Sequence, residues 1–272
     1  SKLEKLVESS KLTRDQEFKD PSTAGRALRD YVMYGNKSPF LRRSTLKEVQ
    51  GMTSDFLIDQ AKEAMQYEVD IFYTGTINEV AVIDQIKNRL SISDNLKASK
   101  SPITMDYKKH TRNKVFLIDD PKAVQSQIYI MGQGKVLDME SRSTSDVFNK
   151  YFGSGMASII FQEIREFRSL AYTAYGAYVN RPDIELPGYF IGYMGTQVDK
   201  SMEAISTYMD LFKNMPIKES RISTIKSGLT QSINTRKPGW RSQGAYVSRA
   251  RKQGYDKDLS LIHISEPTRL NP

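Results

Sequence analysis

With 272 residues, a formal charge of +8 and no cysteine, the chain is long enough for one large or two ordinary domains. It cannot use disulfides, thiolate catalysis or cysteine-bound metals. No run approaches the roughly 18 apolar residues of a membrane-spanning helix, and the opening SKLEKLVESS is not a signal peptide.

The 40 basic and 32 acidic residues are interspersed, which favours solubility and acidic partners without being a nucleic-acid signature by itself. Over residues 1–20, charges alternate with Leu3, Leu6 and Leu12, and the pattern predicts a helix ending near Asp20-Pro21. Ala24 to Met33 reads as a short helix, and Tyr34 to Pro39, YGNKSP, is turn chemistry. Ser44 and Thr45 start another short helix. Thr53 caps a longer one, with Phe56, Leu57, Ala61, Ala64 and Met65 on its inner side. Val69 to Tyr73, VDIFY, predicts a strand; Gly75-Thr76 turns it into a helix with Val80, Ile83, Ile86 and Leu90. Asn95 to Arg112 has little apolar periodicity and several lysines, and reads as a solvated linker between domains, with a phosphate-binding basic patch as the functional alternative.

Lys114 to Asp119 predicts a strand, Asp120-Pro121 a turn, and Val124 to Met131 a second strand. Ser141 to Tyr151 should be a helix with Val147, Phe148 and Tyr151 inward. The Gly-Ser-Gly turn at Gly153 to Gly155 then leads into the stretch that organises the chain. There Phe152, Met156, Ile159, Ile160, Ile164 and Phe167 recur at three- and four-residue spacing, an amphipathic helix laid on a core. After Leu170 the period changes, and Ala171 to Val179 reads as a strand. Pro187 to Gly195 contains another strand. Thr196 starts a helix with Met202, Ile205, Met209 and Leu211 inside, and Ser220 to Thr235 is a further helix carrying Ile222, Ile225, Leu229 and Ile233.

Arg165 sits beside the apolar stripe of its helix, and Tyr172 lies seven residues on, just inside the next strand. Two polar groups on adjoining rigid elements can be aimed at one point. The segment FGSGMASIIFQEIREFRSLAY resembles one in the non-catalytic half of the M16 zinc metallopeptidases, the family of insulin-degrading enzyme, pitrilysin and the mitochondrial processing peptidases. In that family the Arg-x6-Tyr spacing marks a pair reaching across an enclosed chamber to the substrate. The resemblance implies that Arg165 holds substrate backbone and Tyr172 donates to the oxyanion formed at the scissile carbonyl. A phenol with a pKa near ~10 stays protonated at neutral pH and can donate.

Other stretches carry the same resemblance. Residues 53–90 look like the closing unit of an M16 domain: a threonine-led helix, a hydrophobic strand, a Gly-led turn and a helix. The strand, Pro-x-Ala-Val-Gln-Ser, strand arrangement looks like an M16 domain's opening, although Lys122 stands where the family more often has Gly. The implied fold class is α+β, a mixed or mainly antiparallel sheet with helices packed on one face, in two incomplete copies. Residues 1–94 would close one domain, 95–112 link, and 113–258 form an incomplete final domain. Leu259 to Arg269, LSLIHISEPTR, looks like the translation of a sequencing-library adapter, so 259–272 is expected to be a non-native tail and His263 to carry no function.

The family's zinc site needs His-x-x-Glu-His and a distal Glu. Here the two histidines are His110 and His263, neither at ligand spacing, so the chain cannot hold a catalytic zinc. The same shortage excludes a Ser-His-Asp triad. No cofactor is expected in this chain; zinc is expected in a catalytic half outside it, which with the peptide substrate would be its partner. Gly132 to Lys135 and Gly192 to Gly195 are too short for phosphate loops and read as hairpin turns.

Arg241, Arg249, Arg251 and Lys252, interleaved with Trp240, Tyr246 and Tyr255, are the basis of a competing nucleic-acid reading. No nucleic-acid motif accompanies them, and a solvated helix explains them more simply. A non-catalytic M16-like interaction subunit is the other alternative. For the compartment, a bacterial cell envelope, periplasm and cytoplasm all stay open.

Overall fold

The computed structural model describes residues 2–17, 19–90, 95–98, 105–235 and 239–252. The suspected tail and His263 lie outside them. The chain divides into two units, residues 1–118 and 119–272.

The first unit is helical because its capping signals work. Helix α1 is Lys2–Glu17. Helix α2, Pro21–Tyr34, starts on Asp20, whose carboxylate accepts from the N–H groups of Ser22 and Thr23 at 3.0 and 3.1 Å. After the four-residue α3, Pro39–Arg42, α4 (Leu46–Gly51) opens with a reciprocal capping box between Thr45 and Glu48. Thr53 caps α5, Ser54–Ala64, and Asn78 caps α6, Glu79–Arg89. The expected helices form, and the caps at Thr45 and Thr53 match the sequence reading, which did not name Asp20 or Asn78 as caps; the inward faces differ. Phe56, Leu57 and Met65 are exposed, as are Val80, Ile83 and Leu90.

Val69 to Tyr73 does not form the expected strand, nor does Lys114 to Asp119. An extended segment becomes a strand only when its N–H and C=O groups meet a neighbour. Among the described residues, the first unit offers this segment only an isolated bridge between Tyr67 and Lys97. Val69, Ile71 and Phe72 stay about half exposed, and Val115 is 95% exposed. Two residues of the stretch read as a linker make hydrogen-bond contacts with α2. The Lys108 N–H donates to the Met33 carbonyl at 2.6 Å, and the His110 Nε2 lies 3.0 Å from the Val32 carbonyl.

In the second unit the sheet is built from β1 (Gln125–Gln133), β2 (Ala171–Val179) and β3 (Tyr189–Gln197) in the order β1-β3-β2, every pairing antiparallel. Helix α7 is Met139–Phe152; α8 is Ser201–Lys213; α9 is Glu219–Thr235; α10 is Gln243–Lys252. The fold is α+β. The core joins α7, the segment after it, α8 and the sheet through Phe152, Ile160, Ile164, Met194 and Tyr208, all fully buried. Stacked Phe148 and Phe152, with Phe190 and Phe212 edge-on to Phe152, fill its aromatic part.

Gly192 to Gly195 is not a turn. It lies in the middle of β3, where a Cβ on Gly192 would come within 2.3 Å of the Tyr208 hydroxyl. A Cβ on Gly176, opposite it on β2, would do the same. The missing side chains admit the Tyr208 phenol, which donates to the Tyr175 carbonyl at 3.0 Å. Helix α8 buries Ala204, Tyr208 and Leu211, while Met202 and Met209, expected inside, are exposed.

Candidate functional site

The helix predicted from Phe152 is in fact shorter and wound differently. Phe152 ends α7, the glycine turn follows, and Met156 is 77% exposed. Ile159 and Ile160 begin a helix that continues as a π-helix over Phe161–Phe167. The wider winding breaks the 3.6-residue period, so Phe167, the last member of the expected stripe, is 70% exposed. Ile164 remains in the core and Arg165, next to it, reaches the side.

The end of this helix aims the pair. Ser169 takes a left-handed conformation, φ 49°, uncommon for a residue with a Cβ. The Ser169 N–H donates to the Arg165 carbonyl at 3.2 Å, and the Leu170 N–H reaches back to Ile164 at 2.8 Å. Leu170 is buried, and its carbonyl accepts from the buried Thr196 hydroxyl at 2.5 Å. The register of β2 then shifts between Ala171 and Thr173, a bulge-type irregularity that re-aims a side chain. Tyr172 comes back over the helix: the Arg165 guanidinium lies 4.9 Å from its ring centroid and 4.7 Å from that of Phe161. Glu166 completes the setting, 3.5 Å from the Arg165 Nε.

The two expected site residues are therefore in contact. They flank an open groove of about 260 Å³ lined by Gln125, Arg165, Tyr172, Thr196, Gln197 and Lys200, among others. Tyr172 is 79% exposed and Arg165 partly so. A phenol O–H and a guanidinium N–H fork are both donors, so the arrangement suits carbonyl or anionic oxygen. A larger hollow, about 470 Å³, lies beside Leu3, Val7, Lys11 and Met52 in the first unit.

Phe161 and Lys200 were not singled out in the sequence. Phe161 was findable, since it precedes Arg165 by one helical turn, the spacing at which side chains meet. Lys200 was not: the three-stranded topology alone brings the end of β3 beside the π-helix. On the sheet face opposite the core, Tyr129, Tyr193 and Tyr175 form a cross-strand row, with neighbouring centroids 5.1 and 5.4 Å apart. The Tyr193 hydroxyl donates to the Gln127 side chain, while burial pushes its pKa up.

The described residues do not fit a zinc site. The His110 Nε2 is at a backbone carbonyl and its Nδ1 is buried without a hydrogen-bond partner. Among the described residues no three His, Cys, Asp or Glu side chains gather. Nor is any described helix long and apolar enough to cross a membrane. In the basic stretch, Arg241 stacks on its neighbour Trp240 at 4.2 Å.

Comparison with known proteins gives a consistent family. Residues 68–229 match the family model of the peptidase M16 inactive domain. An uncharacterized zinc protease of Streptomyces coelicolor is 25% identical over 213 residues, spanning 75% of this chain and 45% of that protein. The chain thus matches less than half the length of that curated relative. The crystal structure of a peptidase M16 inactive domain from Pseudomonas fluorescens superimposes with a TM-score of 0.62 at 16% identity, over 93% of this chain and 60% of that one. A protease from Helicobacter pylori gives 0.64 at 13%, over 96% and 65%. A mutant of the ferredoxin protease FusC in complex with Arabidopsis ferredoxin gives 0.68 at 10%, over 94% and 27%. At these identities the likeness concerns the fold.

Proposed function

Because the chain belongs to the peptidase M16 inactive-domain family, we propose that it is the substrate-binding, chamber-closing part of a zinc endopeptidase whose catalytic half lies outside this sequence. The carrying observation is the Arg165–Tyr172 contact at the rim of an open groove. In this reading the Arg165 guanidinium holds a peptide carbonyl, and the Tyr172 phenol donates to the oxygen that becomes negative as the scissile bond is attacked. A donor whose bond strengthens as charge develops lowers the barrier more than it tightens the ground state. The zinc and the proton acceptor belong to the partner half, whether on the same polypeptide or on another subunit. Helices α7 and α8 back the sheet, so that groups presented at its edge are held rather than searching.

The test is reconstitution. Peptide cleavage should appear when this chain is combined with a catalytic half bearing His-x-x-Glu-His, and neither part should cleave alone. Replacing Tyr172 with Phe should lower kcat about 100-fold with little change in KM. Full cleavage by the catalytic half alone, or an unchanged kcat for Tyr172→Phe, would contradict the role.

A further inference from the structure

The groove carries more charge than a pair of backbone-binding donors needs. Besides Arg165 it is lined by Lys200, and among the described residues lining it there is no carboxylate: the others include Gln125, Ser169, Thr196 and Gln197. Glu166 answers Arg165 from the side, 3.5 Å from its Nε. Lys200 ends the short 3₁₀ turn Val198–Lys200 that follows β3. Its ammonium donates to the Ser169 carbonyl at 3.4 Å, the residue whose left-handed turn also sets Arg165 and Tyr172. An ammonium has three donors, and that contact uses one. The cavity, about 260 Å³, is smaller than the roughly 300–1,000 Å³ of small-molecule sites. It suits one portion of a polymer rather than a whole free ligand.

We infer that Lys200 makes this groove select peptides that present a carboxylate. Resting on the peptide-binding reading above, the inference adds a substrate preference to it. Arg165 and Tyr172 take up backbone oxygen, while the Lys200 ammonium pairs with a carboxylate on the same peptide, from an acidic side chain or from a free C-terminus. The pairing is solvent-accessible, so it is modest and falls with salt.

The experiment titrates the isotope-labelled chain, at low ionic strength, with three versions of one blocked peptide of about eight residues. One carries a glutamate and an amidated C-terminus, the second a glutamine in its place, and the third the glutamine with a free C-terminal carboxylate. The glutamate peptide should bind about fivefold more tightly than its glutamine twin. Its binding should shift the amides of Ser169, Tyr172, Gln197 and Lys200. A gain by the free-acid peptide instead would identify the terminus as the carboxylate taken. Lys200→Gln should erase the preference and Lys200→Arg keep it. Equal affinities for all three peptides, or a preference that survives Lys200→Gln, would overturn the inference alone, provided the same amides still shift. If no peptide shifts the groove amides, the inference and the peptide-binding reading both fall.

Discussion

At the scale of single residues, the site is a problem of aim. A guanidinium on a long, flexible stem loses entropy when it is held, and here two rings hold it. Phe161 supports it from within the π-helix at 4.7 Å and Tyr172 from the strand at 4.9 Å. Arg165, beside an apolar stripe, and Tyr172, at the start of a strand, were paired beforehand from the family resemblance of the segment that holds them. What the sequence could not supply was their contact, because it depends on a left-handed Ser169 and a register shift that no spacing announces. Removing one ring should loosen the guanidinium without touching the phenol. Phe161→Ala is expected to raise KM about two- to fivefold in the reconstituted peptidase, the worth of one exposed cation–π contact, and to leave kcat nearly unchanged. Steady-state kinetics on a single peptide checks this.

At the scale of elements, caps were readable and packing was less so. Thr45 and Thr53 mark helix starts with local chemistry, and both starts stand within a residue or two of where the pattern put them, whereas α2 starts at Pro21 on the Asp20 cap, ahead of the expected Ala24. The inner faces of α5 and α6, and the segments Val69 to Tyr73 and Lys114 to Asp119, depend on partners distant in the chain, and there the pattern overestimated burial. The π-winding defeated a fixed period in the same way.

Two predictions belong to this scale. Asp138 caps α7 by accepting from the Ser141 N–H at 2.8 Å, and that bond holds its carboxyl below the ordinary value. The folded pKa is therefore lower than the unfolded one, so the cap contributes fully above the unfolded pKa and is lost as pH falls through the folded one. Asp146, on the same helix, is shifted the opposite way by burial, so the readout must be local. The Ser141 amide shift, followed against pH, should titrate with a midpoint below the usual carboxylate range, and Asp138→Asn should flatten it. The second prediction concerns the glycines around Tyr208. Gly176→Ala would place a methyl within 2.3 Å of the Tyr208 hydroxyl and 2.9 Å of Phe152. Such overpacking should destabilise the unit by about 1–3 kcal/mol. Urea melts should give a smaller penalty in a Tyr208→Phe background, where the nearer atom is gone.

At the scale of the whole molecule, stability is distributed unevenly. The second unit has a closed set of buried aromatics behind its sheet, whereas the first buries only Met33, Gly35 and Ser38 among its described residues. Amides paired in the centre of β3, such as Met194, should exchange with deuterium far more slowly than those of Ile71, Phe72 and Val115. Hydrogen-exchange mass spectrometry can rank them, and equal protection would contradict the packing described above. The family and the α+β class were both legible because the match runs through the elements that build this core. The proposed substrate preference was not, because Lys200 joins the groove only through the strand order.

The central claim is that Arg165 and Tyr172 act as one unit on bound peptide. A double-mutant cycle on kcat/KM in the reconstituted peptidase tests it most directly, with Arg165→Gln, Tyr172→Phe and the pair. The account predicts that the double variant loses far less than the product of the two single losses, with a coupling of about 1 kcal/mol or more. Multiplicative losses would mean that the two side chains work apart, and no loss in either single variant would mean that this groove is not where peptide is held.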